Sequence, residues 1–310
     1  MYKISMCGCA RWEEQYIIEW IEYHLSVGVD HFYIYSNNDN YYTLAEVLLP
    51  YIRKINPEVT YIHCPEFDQN KMYEHYRLNY SQESDWSYFS DLDEFVALPG
   101  FGQNIKNLLA AREKDFDSIQ LNWYNFGPNG YETAPVGSVI RHYTKCSSKL
   151  NKHPKLLANK KILSQFAMPS MHYAPPHVAS CDALGNPISS YMWVEGGQAA
   201  AYENYLSHFN DKLMQAAFIV HYQHKTTKDA ERRLARGTNG TWVSIKIYQN
   251  LVDNTNLKNE YFASLEESEY TFLKDYWEDY IIKKLLPQDL NLDKQAAEIY
   301  LQSGQWNQGF

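Results

Sequence analysis

The run Ser90-Asp91-Leu92-Asp93-Glu94-Phe95 follows directly on the apolar and aromatic segment Trp86-Ser87-Tyr88-Phe89 and sets two carboxylates two positions apart. Side chains at i and i+2 of a strand leave the same face, so a strand ending near Asp91 would aim Asp91 and Asp93 at one point. Converging hard oxygen ligands, with coordination positions left open, suit Mg²⁺ or Mn²⁺ holding a diphosphate. The same acidic triplet is also what a solvated turn closing a strand contains, so the chemistry depends on what else the chain gathers around it.

The elements that must position these groups follow a simple order. Residues 2–9 are short, apolar and β-prone, and Trp12, Tyr16, Ile17, Trp20, Ile21, His24 and Leu25 recur at helical spacing. Gly28 ends that helix, and a second strand over 29–35 runs into the polar loop Ser36-Asn37-Asn38-Asp39-Asn40. A helix over 43–51, a strand over 59–63 and a helix over 69–82 lead to the strand carrying the acidic run. A helix over 104–112 and a strand over 118–124 follow. Strands alternating with helices predict an α/β fold, and such sheets bind ligands beyond the carboxyl ends of their strands, where Asp39 and Asp91 both fall.

After 135 the pattern loosens. Residues 139–145 and 155–163 read as strands, 168–187 as a loop-rich region, and 216–222 as an extended apolar segment delivering His221 and Tyr222. Thr226 or Thr227 caps a helix running to Arg236, and from 243 onward, 261–285 included, the chain reads as mostly helix. The loop Phe126-Gly127-Pro128-Asn129-Gly130 lets backbone come close to a ligand, although turn-making explains it as well.

Composition narrows the class. The chain has 310 residues, formal net charge -9 and no basic run longer than a pair, which argues against a nucleic-acid footprint. Its 27 tyrosines offer stacking faces with hydroxyls, which suit sugars, bases and ordinary cores alike. Five scattered cysteines, with one C-x-C pair, argue against zinc and against a disulfide framework. The first residues lack the pattern of a signal peptide, so the expected location is the cytoplasm.

Taken together, Glu19-Trp20-Ile21-Glu22-Tyr23-His24, Gly28-Val29-Asp30-His31-Phe32-Tyr33-Ile34-Tyr35, Trp86 with Asp91-Leu92-Asp93-Glu94-Phe95, Trp123 with Phe126-Gly127 and Gly130, and His221-Tyr222 with Lys225-Thr226 resemble glycosyltransferase family 92 and its family 2 relatives. The resemblance implies a GT-A type fold, Rossmann-like, with a mostly parallel central sheet and helices on both faces. It divides the chain into a GT-A domain over 1–240, with a donor half over 1–125 and an acceptor and metal half over 126–240, followed by a helical C-terminal extension over 241–310. It further implies a nucleotide-sugar donor, usually a uridine diphosphate sugar, a glycan or lipid-linked glycan acceptor, and Mn²⁺ or Mg²⁺. Displacement would be direct and inverting.

Residue by residue, the resemblance makes Asp93 the direct metal ligand. Asp91 is a second ligand or faces ribose and sugar, and His221 is the late histidine completing the metal site. Lys225 reaches the diphosphate, while Ala10, Arg11, Asn38 and Asp39 stand where relatives hold uracil and ribose. Trp123 and Phe126 are offered to sugar or acceptor. Lys155 occupies a position where relatives carry a basic residue, and is read as no part of the site. The start, Cys7-Gly8-Cys9-Ala10-Arg11-Trp12, departs from the Lys-Asn-Glu-like run of relatives.

An inverting enzyme also needs a base beside the attacking hydroxyl; Asp182, Glu195, His177 and His172 are candidates, with Glu195 in Trp193-Val194-Glu195-Gly196-Gly197 preferred. The expected role is addition of a sugar to a surface glycan precursor such as lipooligosaccharide or capsule. Trp277, Tyr280, Ile281 and Ile282 beside Lys283-Lys284 could rest on the inner face of the cell membrane or pack on the protein. The alternatives are an inactive nucleotide-sugar or glycan-binding module of the same fold, and a metal-dependent nucleotidyltransferase or phosphohydrolase.

Overall fold

The computed structural model describes residues 1–55, 57–165, 172, 174–175, 177–188, 197–236 and 242–285. Strands and helices alternate from the start: β1 (Tyr2–Ala10), α1 (Ile17–Ser26), β2 (His31–Ser36), α2 (Tyr41–Ile52), β3 (Val59–His63), α3 (Gln69–Asn79) and β4 (Ser84–Ser90). There follow β5 (Glu94–Ala97), α4 (Ile105–Arg112), β6 (Ser118–Asn125), α5 (Val139–His142), β7 (Lys145–Cys146), β8 (Pro154–Asn159), α6 (Lys160–Gln165), β9 (Ser180–Cys181), α7 (Gly197–Ala216) and β10 (Phe218–His221). The remainder is α8 (Thr227–Arg236), α9 (Trp242–Asp253), α10 (Thr255–Ser264), β11 (Ser268–Glu269) and α11 (Phe272–Leu285).

These elements gather into two units that interleave along the chain, residues 1–124 with 149–221, and residues 125–148 with 222–310. In the first, a sheet runs β3-β2-β1-β4-β8-β6-β10-β5, with β9 paired to β6. β3, β2, β1 and β4 are parallel; β8 then pairs antiparallel with both β4 and β6, and β5 antiparallel with β10. The α/β layout expected from the alternation is the one observed, and it agrees with the GT-A type fold that the resemblance implies: a parallel half followed by mixed strands. β2 is buried along its whole length, as a strand covered on both faces must be. Tyr76 of α3 ties two strands together from within the core, its hydroxyl bonded to Ser5 Oγ (2.8 Å) on β1 and Ser87 Oγ (2.7 Å) on β4. A buried hydroxyl needs such partners.

Helix starts follow side-chain capping. Asp68 accepts from Lys71 N, Asn40 from Tyr42 N and Asn104 from Lys106 N. The same chemistry corrects one expectation: residues 139–145 are not a strand, because Ser138 Oγ accepts from Arg141 N and starts the short helix α5. Residues 155–163 likewise change from strand to helix at Lys160, where Asn159 Oδ1 accepts from Lys161 N.

In the second unit, β7 pairs antiparallel with β11, and this breaks the helix expected over 261–285. Thr226 Oγ1 accepts from Asp229 N at the start of α8, and Ala230, Tyr248 and Leu251 form a small core. Arg141 of α5 holds Glu278 of α11 at 2.8 Å, and Trp277 and Ile281 are buried, so these apolar residues of α11 pack on the protein. Among the described residues no helix is long and apolar enough to cross a membrane.

Candidate metal and donor site

β4 ends at Ser90, and β5 begins at Glu94, so the acidic run is a turn. The turn is closed by its own groups: Glu94 N donates to Asp91 O (3.2 Å), Asp91 N to Glu94 Oε2 (3.2 Å) and Ser90 Oγ to Asp91 O (3.1 Å). Leu92 is its buried foot. A Cβ on Gly8 of β1 would stand 3.2 Å from Leu92 Cδ1, so glycine makes the room in which Leu92 sits.

The turn separates the two aspartates that strand alternation would have aimed together. Asp91 swings to β8, where its Oδ2 accepts from Lys155 Nζ (2.8 Å), and its Oδ1 accepts from Gln69 Nε2 (3.0 Å). Asp93 faces β10, its Oδ1 lying 3.8 Å from His221 Nε2. Glu94 takes the place expected for Asp91. It stands directly opposite His221 in the antiparallel β5–β10 pair, where facing side chains share one side of the sheet, and its Oε1 is 4.0 Å from His221 Nε2. One ligand atom from each of Asp93, Glu94 and His221 lies within 4.8 Å of the others, and all three residues are buried.

This donor set fits a divalent ion. Ligand atoms around a small octahedral cation with bonds of about 2.1 Å stand roughly 3.0 Å apart when adjacent and roughly 4.2 Å when opposite. The two observed separations from the imidazole, 3.8 and 4.0 Å, lie under the larger figure, so one ion can reach both atoms of each pair. Two carboxylate oxygens and one imidazole are suited to Mn²⁺ or Mg²⁺, and three protein ligands leave positions open.

Electrostatics at the centre are dominated by crowding. Burial pushes the Glu94 carboxyl well above the usual carboxylate range; Lys155 opposes this, and Asp91 and Asp93 add to it. Burial also raises Asp91, but the Lys155 ammonium outweighs it and holds the carboxyl below its ordinary value. For Lys155, loss of solvent pulls the ammonium down, while Asp91 and Glu94 more than restore it. Trp123 of β6 forms a wall: its ring lies 4.2 Å from His221, 5.2 Å from His153 in a stack, and 5.7 Å from the Lys155 ammonium.

The other expected residues are placed as follows. Asn38 is buried, its Oδ1 accepting from Trp12 N (2.8 Å) and its Nδ2 donating to Glu14 Oε1 (2.6 Å) and Thr43 Oγ1 (3.1 Å). It therefore joins the end of β1 and the loop after it, which carry Ala10 and Arg11, to the loop after β2, which carries exposed Asp39; its amide is committed to that joint. Asp182 is buried and committed too. Its Oδ1 accepts from Leu184 N and Asn186 N, both at 2.9 Å, and its Oδ2 from the Tyr205 hydroxyl and Asn186 Nδ2. That is the role of a turn organiser, and the expectation of Asp182 as base finds no open oxygen.

His172 Nδ1 donates to Pro154 O (2.8 Å) beside Trp123, and burial with Lys155 nearby pushes it down to about 4. His177 is exposed. Lys225, in the second unit, is buried and donates to Tyr222 O (3.1 Å). Phe126 is buried against Tyr222, and a Cβ on Gly127 would lie 2.8 Å from Leu265 O, so that glycine admits the chain's own backbone. Glu195 lies outside the described residues.

Glu94 and Lys155 are the groups the sequence reading left out. The available signal was an acid opening the apolar strand Glu94-Phe95-Val96-Ala97 and a single ammonium inside Pro154-Lys155-Leu156-Leu157-Ala158. Charges in fully buried strands are rare unless paired.

A mixed α/β sheet that brings two buried acids and an imidazole together at a strand end is an arrangement able to hold a divalent ion. The sequence model of glycosyltransferase family 92 matches residues 2–265, and the chain belongs to that family. A family 92 protein of Ricinus communis is 27% identical over 183 residues, covering 55% of this chain and 31% of that protein. One from Oryza sativa subsp. japonica is 27% identical over 157 residues, covering 45% of this chain and 24% of that protein. The matched segments thus span less than a third of these plant relatives. Among solved structures, S. aureus TarS 1-349 has a TM-score of 0.37 and 11% identity, covering 96% of this chain and 78% of that one.

Proposed function

We propose that the chain is a metal-dependent, inverting glycosyltransferase that moves a sugar from a nucleotide-sugar donor, a uridine diphosphate sugar in the first instance, to a glycan acceptor. The observation that carries this is the convergence of Asp93, Glu94 and His221 in a family 92 chain. Those three residues would hold the cation. A divalent ion bound there supplies positive charge beside the leaving diphosphate, where negative charge develops. Trp123 gives the site an aromatic wall that fixes the imidazole, and Asn38 fixes the two loops in which Ala10, Arg11 and Asp39 stand ready for uracil and ribose.

Asp91, held by Lys155 and partly open to solvent with 37% of its side chain exposed, is suited to receive hydroxyls of the ribose or the sugar. Lys225 remains the proposed phosphate contact. Glu195 remains the proposed base for the acceptor hydroxyl, supported by the commitment of Asp182 to its own turn. Lipooligosaccharide- or capsule-type precursors, lipid-linked ones included, are the acceptors to assay first. Cytoplasmic residence belongs to the same proposal, and the five free cysteines are compatible with it.

The test is hydrolysis of a panel of nucleotide sugars with and without Mn²⁺. Slow, metal-dependent hydrolysis of one preferred donor, absent in Asp93→Ala, is the expected result. Saturable donor binding with no turnover under any condition, acceptors included, would make the chain a binding module instead.

A further inference from the structure

Lys155 is fully buried, with a side-chain exposure of 0%. Its Nζ lies 2.8 Å from Asp91 Oδ2 and 3.2 Å from Glu94 Oε1, and the Trp123 ring stands 5.7 Å away. An ammonium inside a sheet is costly unless it is paired, and a core position in β8 would more cheaply carry an apolar side chain. Among the described residues, the groups whose charge acts on Asp91 or Glu94 include one another, Asp93, Lys155 and His221, and Asp91 and Lys155 act in turn on His172. Ligands to a cation must be deprotonated. Among the described residues, with Asp91, Asp93 and Glu94 ionised and the imidazoles neutral, three negative charges face the Lys155 ammonium, leaving two, which one divalent ion neutralises.

We propose that Lys155 is a resident counter-cation, a positioning residue that matches the charge of the Asp93–Glu94–His221 centre to a single divalent ion and holds Asp91 out of its coordination. The inference rests on the reading that this centre binds such an ion. Its physical content is twofold. A neighbouring positive charge weakens binding of the bare cation, and the ion pair with Lys155 keeps a fourth protein ligand away from positions that a diphosphate would occupy. A site with Asp91 added would bind the metal more tightly and the donor less well.

The experiment titrates the full chain with MnCl2 and follows the free Mn²⁺ signal by electron paramagnetic resonance, then adds uridine diphosphate to the loaded protein. Lys155→Gln is expected to bind Mn²⁺ at least about tenfold more tightly and uridine diphosphate more weakly. Asp91→Asn, although outside the three ligands, is expected to bind Mn²⁺ at least about tenfold more weakly. The double variant should return to within about threefold of the parent, and Lys155→Arg should resemble the parent.

Unchanged or weaker Mn²⁺ binding in a folded Lys155→Gln overturns the proposal. Should that variant fail to fold, Asp91→Asn decides alone, and unchanged binding there overturns it. Absence of Mn²⁺ binding in the parent protein overturns the metal reading itself, and this inference with it.

Discussion

The turn at residues 182–186 and the turn at residues 90–94 each bury an aspartate just beyond a strand end, and they compensate its charge by different means. At Asp182 the partners are the chain's own dipoles: two backbone N–H groups, an amide and a tyrosine hydroxyl take both oxygens. At 90–94 the turn is closed through Asp91 O and Glu94 Oε2, while Glu94 Oε1 lies between the Lys155 ammonium and the His221 imidazole and Asp93 Oδ1 faces that imidazole. The first arrangement is locally complete and stabilises a loop. The second concentrates like charges at one point, a cost that the fold tolerates where a cation completes it. Burial alone does not separate a structural carboxylate from a ligand. What the oxygens point at does.

Exchanging the acids for neutral side chains should split the two regions cleanly. Asp93→Asn is expected to lower metal-dependent activity by at least about a hundredfold, with a thermal midpoint within a few degrees of the parent, because it removes a ligand oxygen and no packing. Activity within a few-fold of the parent would put the cation elsewhere. Asp182→Ala should do the reverse. It leaves two backbone donors, Asn186 and Tyr205 without their acceptor, at roughly 1–3 kcal/mol for a buried unsatisfied group, so chemical denaturation should show a loss of about 3 kcal/mol. Activity per folded molecule should hold; a loss of turnover without a loss of stability would make Asp182 catalytic after all.

The same contrast explains what could be read from the sequence. The parallel half was legible because each of β1 to β4 is a short apolar run bounded by a polar loop, and the period that distinguishes strand from helix is local. His221 was found only through the family resemblance, since nothing local marks it. Strand alternation, carried one residue too far, aimed Asp91 and Asp93 at one point: Ser90 ends β4, and a three-residue turn takes Asp91 to Lys155. Glu94 escaped because its partners come from β8 and β10, and Lys155 because its partners are Asp91 and Glu94, more than sixty residues away in each case, and strand pairing across such distances leaves no mark in spacing. Residues 139–145 failed for a smaller reason, a serine cap that converts an apolar run into helix.

Acidification should bring the scaffold beneath the acidic turn into view. His24 of α1 is buried; its Nδ1 donates to Trp20 O (2.8 Å) and its Nε2 accepts from Val96 N (3.4 Å) on β5, the strand that begins at Glu94. Burial pushes its imidazole down to about 3, against about 6.5 when unfolded. Between those values the unfolded chain takes up a proton that the folded chain does not, so the stability is full above pH 6.5 and falls as pH drops toward 3. The loss is roughly 1.4 kcal/mol per pH unit from this group. Denaturant titrations at pH 7, 6 and 5 should therefore fall less steeply for His24→Gln than for the parent, and equal slopes would show that His24 is not held neutral. Asp182, whose turn contains no histidine, gives no reason to expect that difference to spread there.

The smallest effect is expected from a methyl group. Gly8→Ala puts a Cβ 3.2 Å from Leu92 Cδ1 and 3.4 Å from Trp20 Cη2, close enough that Leu92 must move by a few tenths of an ångström. Leu92 lies between Asp91 and Asp93, so its displacement tilts both carboxyl groups without removing either. Overpacking of this size costs about 1 kcal/mol, and the Mn²⁺ affinity should change by a few-fold, measured against a Gly185→Ala control. That control is the matched insult to the other turn, where a Cβ would meet the Arg112 side chain and φ is +86°, so the strain falls on stability. If Gly8→Ala altered stability alone and left Mn²⁺ binding untouched, the geometry of the 90–94 turn would be as locally self-sufficient as that of the 182–186 turn, and the distinction drawn between them would rest on the choice of ligands only.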